Sequence, residues 1–393
     1  MPSEVVIING ARTPMGEFNG ALRDFTEVEL GAIAAREALT RSEVPPTSVD
    51  HVVFGNAQQT SGNAVYGARH VGLKAGLPTS VPALTVNRLC GSGVQSIITG
   101  AQLIMLAEAD VVLSGGMESM SQAPHVIRGL RVGLRLGEGQ LEDSLTVALM
   151  DNHCGLMMAQ TADVLAHERG IGRPEADAFA LRSQQLAAAA IAAKRLRDEI
   201  VPVEITRKGK TVLFDADDHP RPDTTIEGLA KLQPVFGTEL VTAGNASGIV
   251  DGGAAVVVAG HEKAKRAGLK ALGKIVAWHV EGVEPRIMGI GPVAAIRGVL
   301  RKASLSIKEI DLFEINEAFA AQYLAVEKEL SLDRERVNVN GGAIALGHPL
   351  GATGTRIVLS LLLELRRRKA RYGIASACIG GGQGIALLVE SFH

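Results

Sequence analysis

Cysteine, aromatic side chains, surplus charge and long apolar runs are all scarce in this chain. Three cysteines in 393 residues (Cys90, Cys154 and Cys378) are too few, and odd in number, for a disulfide framework. They point to a reducing compartment or to thiols kept for chemistry. Lys and Arg (40) nearly cancel Asp and Glu (42), leaving a net charge of −2 and no field to draw in nucleic acid. No run approaches the roughly 18 uninterrupted apolar residues that span a bilayer. The start lacks the basic region of a signal peptide, with Glu4 running straight into Val5-Val6-Ile7-Ile8. These absences lead us to expect a cytoplasmic protein without nucleic-acid or membrane partners.

What is present is globular: 46% apolar and 21% charged residues, over a length that allows two or three core-forming units. With 45 glycines and only 3% aromatics, the core must be built from Ala, Val, Leu and Ile, with many close backbone approaches. Short β-branched runs alternate with longer Ala/Leu-rich helical patterns, as in Val52 to Phe54, Val94 to Leu106 and Val111 to Leu113. That rhythm predicts an α/β fold.

The chain also reads as duplicated. Ala32 to Asn56 and Ala295 to Asn316 share a helix, an acidic step, a strand and a terminal Asn. Cys90 follows Asn56, and His348 follows Asn316, at nearly the same interval, each behind a matching phrase (Thr85-Val86-Asn87 and Asn338-Val339-Asn340). Helical spacing of Val94, Ile97, Ile98, Ala101 and Met105 in one half, and of Ile357, Leu361 and Leu365 in the other, places both residues at helix N-termini. Pro349 suits a first helical turn. The strand ending at Ser114-Gly115-Gly116 matches the one ending at Cys378-Ile379-Gly380-Gly381, so Cys378 takes the place of Ser114. Three segments follow: a first half over 1–117, completed by about 249–270, an insertion over 118–248, and a second half over 271–393. The insertion has a Gly/Arg-rich loop (Arg128 to Gly139), an Ala-rich helix (Ala176 to Lys194) and a polar stretch from Arg207 to Arg221. Its prolines mark irregular structure, and we take it as a cover over a substrate.

A thiol at the mouth of a helix has free N–H groups and the positive end of the dipole to hold its thiolate, which favours Cys90 as a nucleophile. His348, among four glycines and a proline, stands opposite it across the pseudo-twofold as a base. Cys378 precedes a glycine run whose N–H groups can approach an oxyanion, although alone it also fits a core-facing strand. Asn316 ends a strand, where its amide can hold water or an oxyanion or cap a helix starting near Glu317. Nucleotide loops are absent, since Gly91-Ser92-Gly93 lacks a third glycine and no G-x-x-x-x-G-K-[ST] occurs. The cysteines show no paired spacing for zinc.

At this point the motifs are specific. NRLCGSG around Cys90, GMESMSQAPH from Gly116, TAGNASG around Ser247, NEAFA from Asn316, NGGAIALGHPLGATG around His348 and CIGGGQG from Cys378 together resemble the thiolases over essentially the whole chain. LEDSL from Leu141 and HPRPDTT from His219 look most similar to the 3-ketoacyl-CoA thiolases of fatty-acid β-oxidation. The resemblance implies a five-layered αβαβα fold of two duplicated halves with an inserted loop domain, and a homodimer or homotetramer. It implies acyl-CoA and coenzyme A as substrates, with no metal and no permanently bound cofactor.

By the same resemblance, Cys90 attacks a 3-ketoacyl-CoA while His348 takes its proton. Cys378 serves the enolate as acid, or acetyl-CoA as base in the reverse Claisen condensation. One oxyanion lies against His348 and a water on Asn316, and the other against the N–H groups of Cys90 and Gly380. Arg221, Thr224 and Ser247 are implied in binding coenzyme A, and Leu149, Met158, Phe236, Met288 and Phe319 as channel walls. Arg221 could otherwise be a solvated surface charge, and the apolar five ordinary core. Biosynthetic acetoacetyl-CoA thiolases carry His directly before the channel Met. Here that place is Met157, which suits longer acyl chains. Two rivals share the fold: a decarboxylating ketosynthase, which has His where Cys378 stands, and a catalytically silent lipid-binding member. With its ordinary value near 8.5, Cys378 is expected to need little tuning.

Overall fold

The computed structural model describes residues 4–137 and 139–393. The first half alternates β1 (Val5–Arg12), α1 (Glu27–Arg41), β2 (His51–Gly55), α2 (Gly67–Lys74), β3 (Ala83–Val86), α3 (Ser92–Met105) and β4 (Val111–Glu118). The inserted region carries two long helices, α4 (Met158–Arg169) and α5 (Arg173–Ala192). The chain then returns through β5 (Val250–Gly260) and β6 (Gly273–Gly282) to α6 (Gly291–Ala303), β7 (Leu312–Ile315), α7 (Ala320–Leu330), α8 (Leu350–Arg368), β8 (Tyr372–Ile379) and β9 (Gln383–Ser391). Local sequence starts these elements where it can. Thr26 and Glu29 form a reciprocal capping box at the head of α1.

Strand order is β7-β8-β9-β6-β1-β5-β4-β2-β3. Outward from the β6–β1 junction both sides run alike, two antiparallel pairs and then a parallel one, and the first half adds β3 as one further parallel strand. The two halves meet there over only Val6 opposite Lys274 and Ile7 opposite Gly273. Duplication in the sequence has thus become a pseudo-twofold in the topology.

Five layers result. The outer helix α1 buries Val28, Ala34, Ala35 and Ala38 against Val6, Ile8, Phe54 and Val257. At the other end α6 and α7 cover Phe313, Ile374 and Leu388. Between the two half-sheets lie α3 and α8, whose Val94, Ile97, Ile98, Ile357, Leu361 and Leu365 pack against Val112 and Val256 on one side and Ala375 and Leu387 on the other. Met105, which the spacing assigns to the same apolar stripe, is 37% exposed at the end of α3.

The central helices cross with their backbones in contact. A Cβ built on Gly93 would lie 2.4 Å from the backbone nitrogen of Thr355, and one on Gly354 2.3 Å from that of Val94. Neither neighbour can rotate away. Gly354→Ala is therefore expected to cost about 1–3 kcal/mol or more by overpacking, read as a lower denaturant midpoint at unchanged slope.

One register differs from the sequence match. Gly116 stands opposite Gly55, and Ser376 opposite Ile315, at the ends of the two parallel pairs. Two residues further on, Glu118 lies opposite Gly252 and Cys378 opposite Gly384. The counterpart of Cys378 is therefore Glu118, not Ser114. Ser114 faces the middle layer and donates to the Ser96 carbonyl.

The insertion is more regular than its prolines imply. Val203–Arg207 and Lys210–Phe214 pair as an antiparallel hairpin within the stretch read as irregular. The Arg128 to Gly139 loop exposes Leu130, Val132, Leu134 and Leu136. Glu138 within it lies outside the described residues.

Candidate active site

Three segments distant in sequence close around one cavity of about 770 Å³, within the range usual for small-molecule sites. Cys90, His348 and Cys378 all line it. Cys90 sits in the tight turn Leu89–Gly91 that leads into α3. Leu89 adopts φ +45°, a left-handed conformation uncommon for a branched side chain, held by Asn87 Oδ1 accepting its N–H at 2.9 Å. This strain turns the cysteine toward the cavity. Across from it, Gly381 and Gly382 take φ near +81° and +82°, turning the chain after β8 so that the Gly380 N–H is aimed at the Cys90 sulfur.

His348 lies two residues ahead of α8, with its backbone N–H donating to the Gly248 carbonyl at 2.9 Å. The neighbouring Ser247 N–H donates to Ala318 at 3.0 Å, so this short segment braces both the His348 loop and the Asn316 loop. Thr353 fixes the imidazole tautomer. Its hydroxyl donates to the Pro349 carbonyl at 3.0 Å and so must accept from His348 Nδ1, 2.6 Å away. Nε2 is left unprotonated, 3.3 Å from the Asn316 amide nitrogen.

Asn316 does not cap a helix. α7 begins only at Ala320, because Glu317 is buried and accepts from Ser183, Asn338 and the Ile344 N–H, holding 317–319 out of the helix. Its amide N–H donates instead to His348 Nε2, and its Oδ1 is buried without a hydrogen-bond partner among the described residues.

Electrostatics differ from the sequence expectation. Burial pushes the Cys90 thiol up to about 11, against the pull of the Gly380 and Cys90 N–H groups. Burial, together with the Arg356 guanidinium, holds His348 down near 3. The pair therefore rests as neutral thiol and neutral imidazole rather than as thiolate and imidazolium. Cys378, 1% exposed, is raised well above the ordinary thiol range by burial and by Cys90. It needs substantial tuning when it exchanges a proton, contrary to the expectation from its free value.

The remaining sequence candidates surround these three. Leu149, Met158, Phe236, Met288 and Phe319 line the cavity, with Met157 beside Met158. Thr224, Ser247 and Arg221 lie toward the inserted region. Arg221 is exposed at the mouth, and its guanidinium lies against Glu17, 3.0 Å from each carboxylate oxygen. Its backbone N–H donates to Gln184 Oε1. Asn316 and Gly380 stand behind the cavity surface, touching His348 and Cys90.

Sequence reasoning passed over Glu17, His219, Thr353 and Arg356. Thr353 was detectable, since it lies in the first turn of the helix that follows His348. The Arg356 partnership with Glu314, 3.6 Å away, joins α8 to β7 and leaves no local signal.

A nucleophilic thiol, a tautomer-fixed imidazole, a second thiol and converging N–H donors at the end of an apolar cavity define an enzyme of covalent acyl transfer through sulfur. Family models narrow the class: the thiolase N-terminal domain matches residues 5–262 and the thiolase C-terminal domain residues 269–391. The chain belongs to the thiolases and is an acyltransferase. It is 53% identical over 390 residues to the mitochondrial 3-ketoacyl-CoA thiolase of Homo sapiens, covering 98% of each chain. It is 47% identical over 392 residues to Beta-ketothiolase BktB of Cupriavidus necator, covering 99% of this chain and 100% of that one. The crystal structure of human mitochondrial 3-ketoacyl-CoA thiolase matches at a TM-score of 0.98 and 52% identity over 99% of both chains. Its complex with CoA matches at 0.96, covering 99% of this chain and 98% of that one.

Proposed function

We propose that the chain catalyses CoA-dependent cleavage of 3-ketoacyl-CoA to acetyl-CoA and a shortened acyl-CoA, and the reverse condensation of two acetyl-CoA to acetoacetyl-CoA. The observation that carries this reading is the convergence of Cys90, His348 and Cys378 on one apolar cavity. In cleavage, Cys90 sulfur bonds to the keto carbon while its proton passes to His348 Nε2. The bond between that carbon and the neighbouring α-carbon then breaks, and Cys378 protonates the departing acetyl-CoA enolate. The proton held on His348 then restores the Cys378 thiol, and the shortened acyl group stays on Cys90 as a thioester. When the thiol of a second coenzyme A attacks it, His348 takes that thiol's proton and returns it to the Cys90 sulfur as the acyl–sulfur bond breaks.

Each charge has a place to go. One oxyanion develops against the protonated His348 and a water on Asn316, the other in front of the N–H groups of Cys90 and Gly380, and one such donor is worth roughly 10²–10³ in rate. These residues supply nucleophile, base, acid and oxyanion donors, so we assign no resident metal or redox cofactor to the reaction. Arg221 and Thr224 are assigned to the nucleotide end of coenzyme A and Ser247 to its pantetheine.

The apolar walls and Met157 support a range that includes long acyl chains, placing the enzyme in β-oxidation. The free thiols support a reducing compartment, cytoplasmic in our reading. A homodimer or homotetramer is proposed on the exposed Leu130, Val132, Leu134 and Leu136 of one loop and on β3, the strand at one end of the sheet.

Both acetoacetyl-CoA and a long-chain 3-ketoacyl-CoA are expected to be cleaved by the native chain when CoA is added. Absence of CoA-dependent loss of either substrate would favour the silent lipid-binding reading. Cleavage of acetoacetyl-CoA alone would remove the long-chain assignment.

A further inference from the structure

The pseudo-twofold gives Cys378 a counterpart, and that counterpart is a fully buried carboxylate. Glu118 is 0% exposed and has no cation partner among the described residues. Four N–H donors converge on it instead. Oε1 accepts from Asn56 Nδ2 at 3.0 Å and the Gln58 N–H at 2.9 Å. Oε2 accepts from the Ala57 N–H at 3.0 Å and the Gly351 N–H at 2.8 Å. The first three donors belong to the loop after β2, in the first half. The fourth belongs to the first turn of α8, in the second half, three residues after His348.

The loop so held touches the nucleophile's segment. Asn87, which fixes the strained Leu89 ahead of Cys90, also donates from Nδ2 to the Ala57 carbonyl at 3.0 Å. Ala57, Cys90 and Leu350 pack in one small apolar cluster. One carboxylate thus joins the Cys90 segment to the His348 segment across the interface of the halves. Asn56 and Asn316 hold equivalent places after β2 and β7, and each presents its amide inward, the first to Glu118 and the second to His348.

We propose that Glu118 is a positioning residue, a strut that sets the separation of Cys90 from His348 by tying the loop at 56–58 to the start of α8. This inference rests on the proposed roles of those two residues. Burial raises the carboxyl of Glu118 to about 8 against the N–H groups of Gln58, Gly351 and Ala57, and above that pH its negative charge helps hold the Cys90 thiol up. The other charged group near it is the buried Glu27, which accepts from the hydroxyls of Thr60 and Ser61.

Glu118→Gln keeps the volume, but its amide presents two donors to a site already full of donors. Misplacing a catalytic pair by about an ångström costs on the order of 10² in rate. We expect kcat to fall about 10²-fold, with KM for CoA within about twofold of native. Alkylation of Cys90 by iodoacetamide should shift to lower pH, because a negative charge beside the thiol has gone. A fold defect would slow alkylation and turnover together or lower the thermal midpoint, not move these readouts in opposite directions. Glu118→Asp keeps the charge but is one methylene short. Its kcat should fall while the alkylation profile stays native, and this variant decides the matter if the Gln variant does not fold.

Native kcat in either folded variant would overturn the proposal, as would a proportional loss of alkylation and turnover. Labelling of the native chain by radiolabelled acetyl-CoA tests the underlying assignment separately. No label on native Cys90 overturns that assignment, whereas native labelling with an indifferent Glu118 overturns only the strut.

Discussion

Cys90→Ser is expected to take up no label from radiolabelled acetyl-CoA and to lose turnover by a factor on the order of 10⁴ to 10⁶, the scale seen when a covalent nucleophile is removed. The hydroxyl keeps the shape of the site but not its chemistry. A serine alkoxide is far costlier to form than a thiolate, and the neutral His348 opposite offers no charge to stabilise it. An oxygen ester would also leave the acyl carbon less electrophilic than a thioester does. Cys378→Ser is expected to behave differently. Its Cys90 should still acquire the acetyl group, because acylation needs only the nucleophile, His348 and the oxyanion donors. Condensation to acetoacetyl-CoA should fail, because no thiolate is available to take the methyl proton. Intact-mass analysis after incubation with acetyl-CoA, beside an assay for acetoacetyl-CoA, separates the two steps. Equal labelling of both variants would overturn the assigned roles.

The α/β alternation, the duplication and the positions of Cys90 and His348 ahead of their helices were all legible, because each is written in local pattern. Apolar spacing along α3 and α8 carries the middle layer, and small residues beside each functional group carry the close approaches. The register of Cys378 was less legible. Ser-Gly-Gly and Cys-Ile-Gly-Gly match by composition, but a slip of four residues keeps every side chain on its own face of a strand, so alternation alone could not separate Ser114 from Glu118. The resting state of the thiols was not legible either. A helix dipole is worth about 0.3–1 kcal/mol, less than one pH unit, whereas full burial moves a pKa by up to about 3–5 units. The sequence shows the helix start but not the depth of the pocket. Asn316 is similar: whether it caps a helix is decided by Glu317, whose partners Ser183, Asn338 and Ile344 come from two other segments of the chain.

His348→Ala tests the neutral-pair description through the dependence of its defect on pH. With the thiol at about 11 and the imidazole near 3, the native site holds both groups uncharged across the physiological range. Attack must then be accompanied by proton transfer to Nε2, which Thr353 keeps unprotonated by accepting from Nδ1. Removing the base is expected to slow acylation of Cys90 by acetyl-CoA about 10²–10⁴-fold near pH 7, the usual worth of general base catalysis. The sign of the pH effect follows from the raised thiol value. As pH climbs toward 11 the thiolate fraction grows about tenfold per unit, and a pre-formed thiolate has no proton for the imidazole to accept. The deficit of the variant should therefore shrink steadily between pH 7 and 10 in pre-steady-state acylation measurements. The native rate itself is expected to stay level over that range, because the neutral pair keeps the same population between its two titrations. A deficit that stays constant from pH 7 to 10 would contradict the raised thiol value, because a variant whose thiol is already ionised at pH 7 gains no further thiolate as the pH climbs.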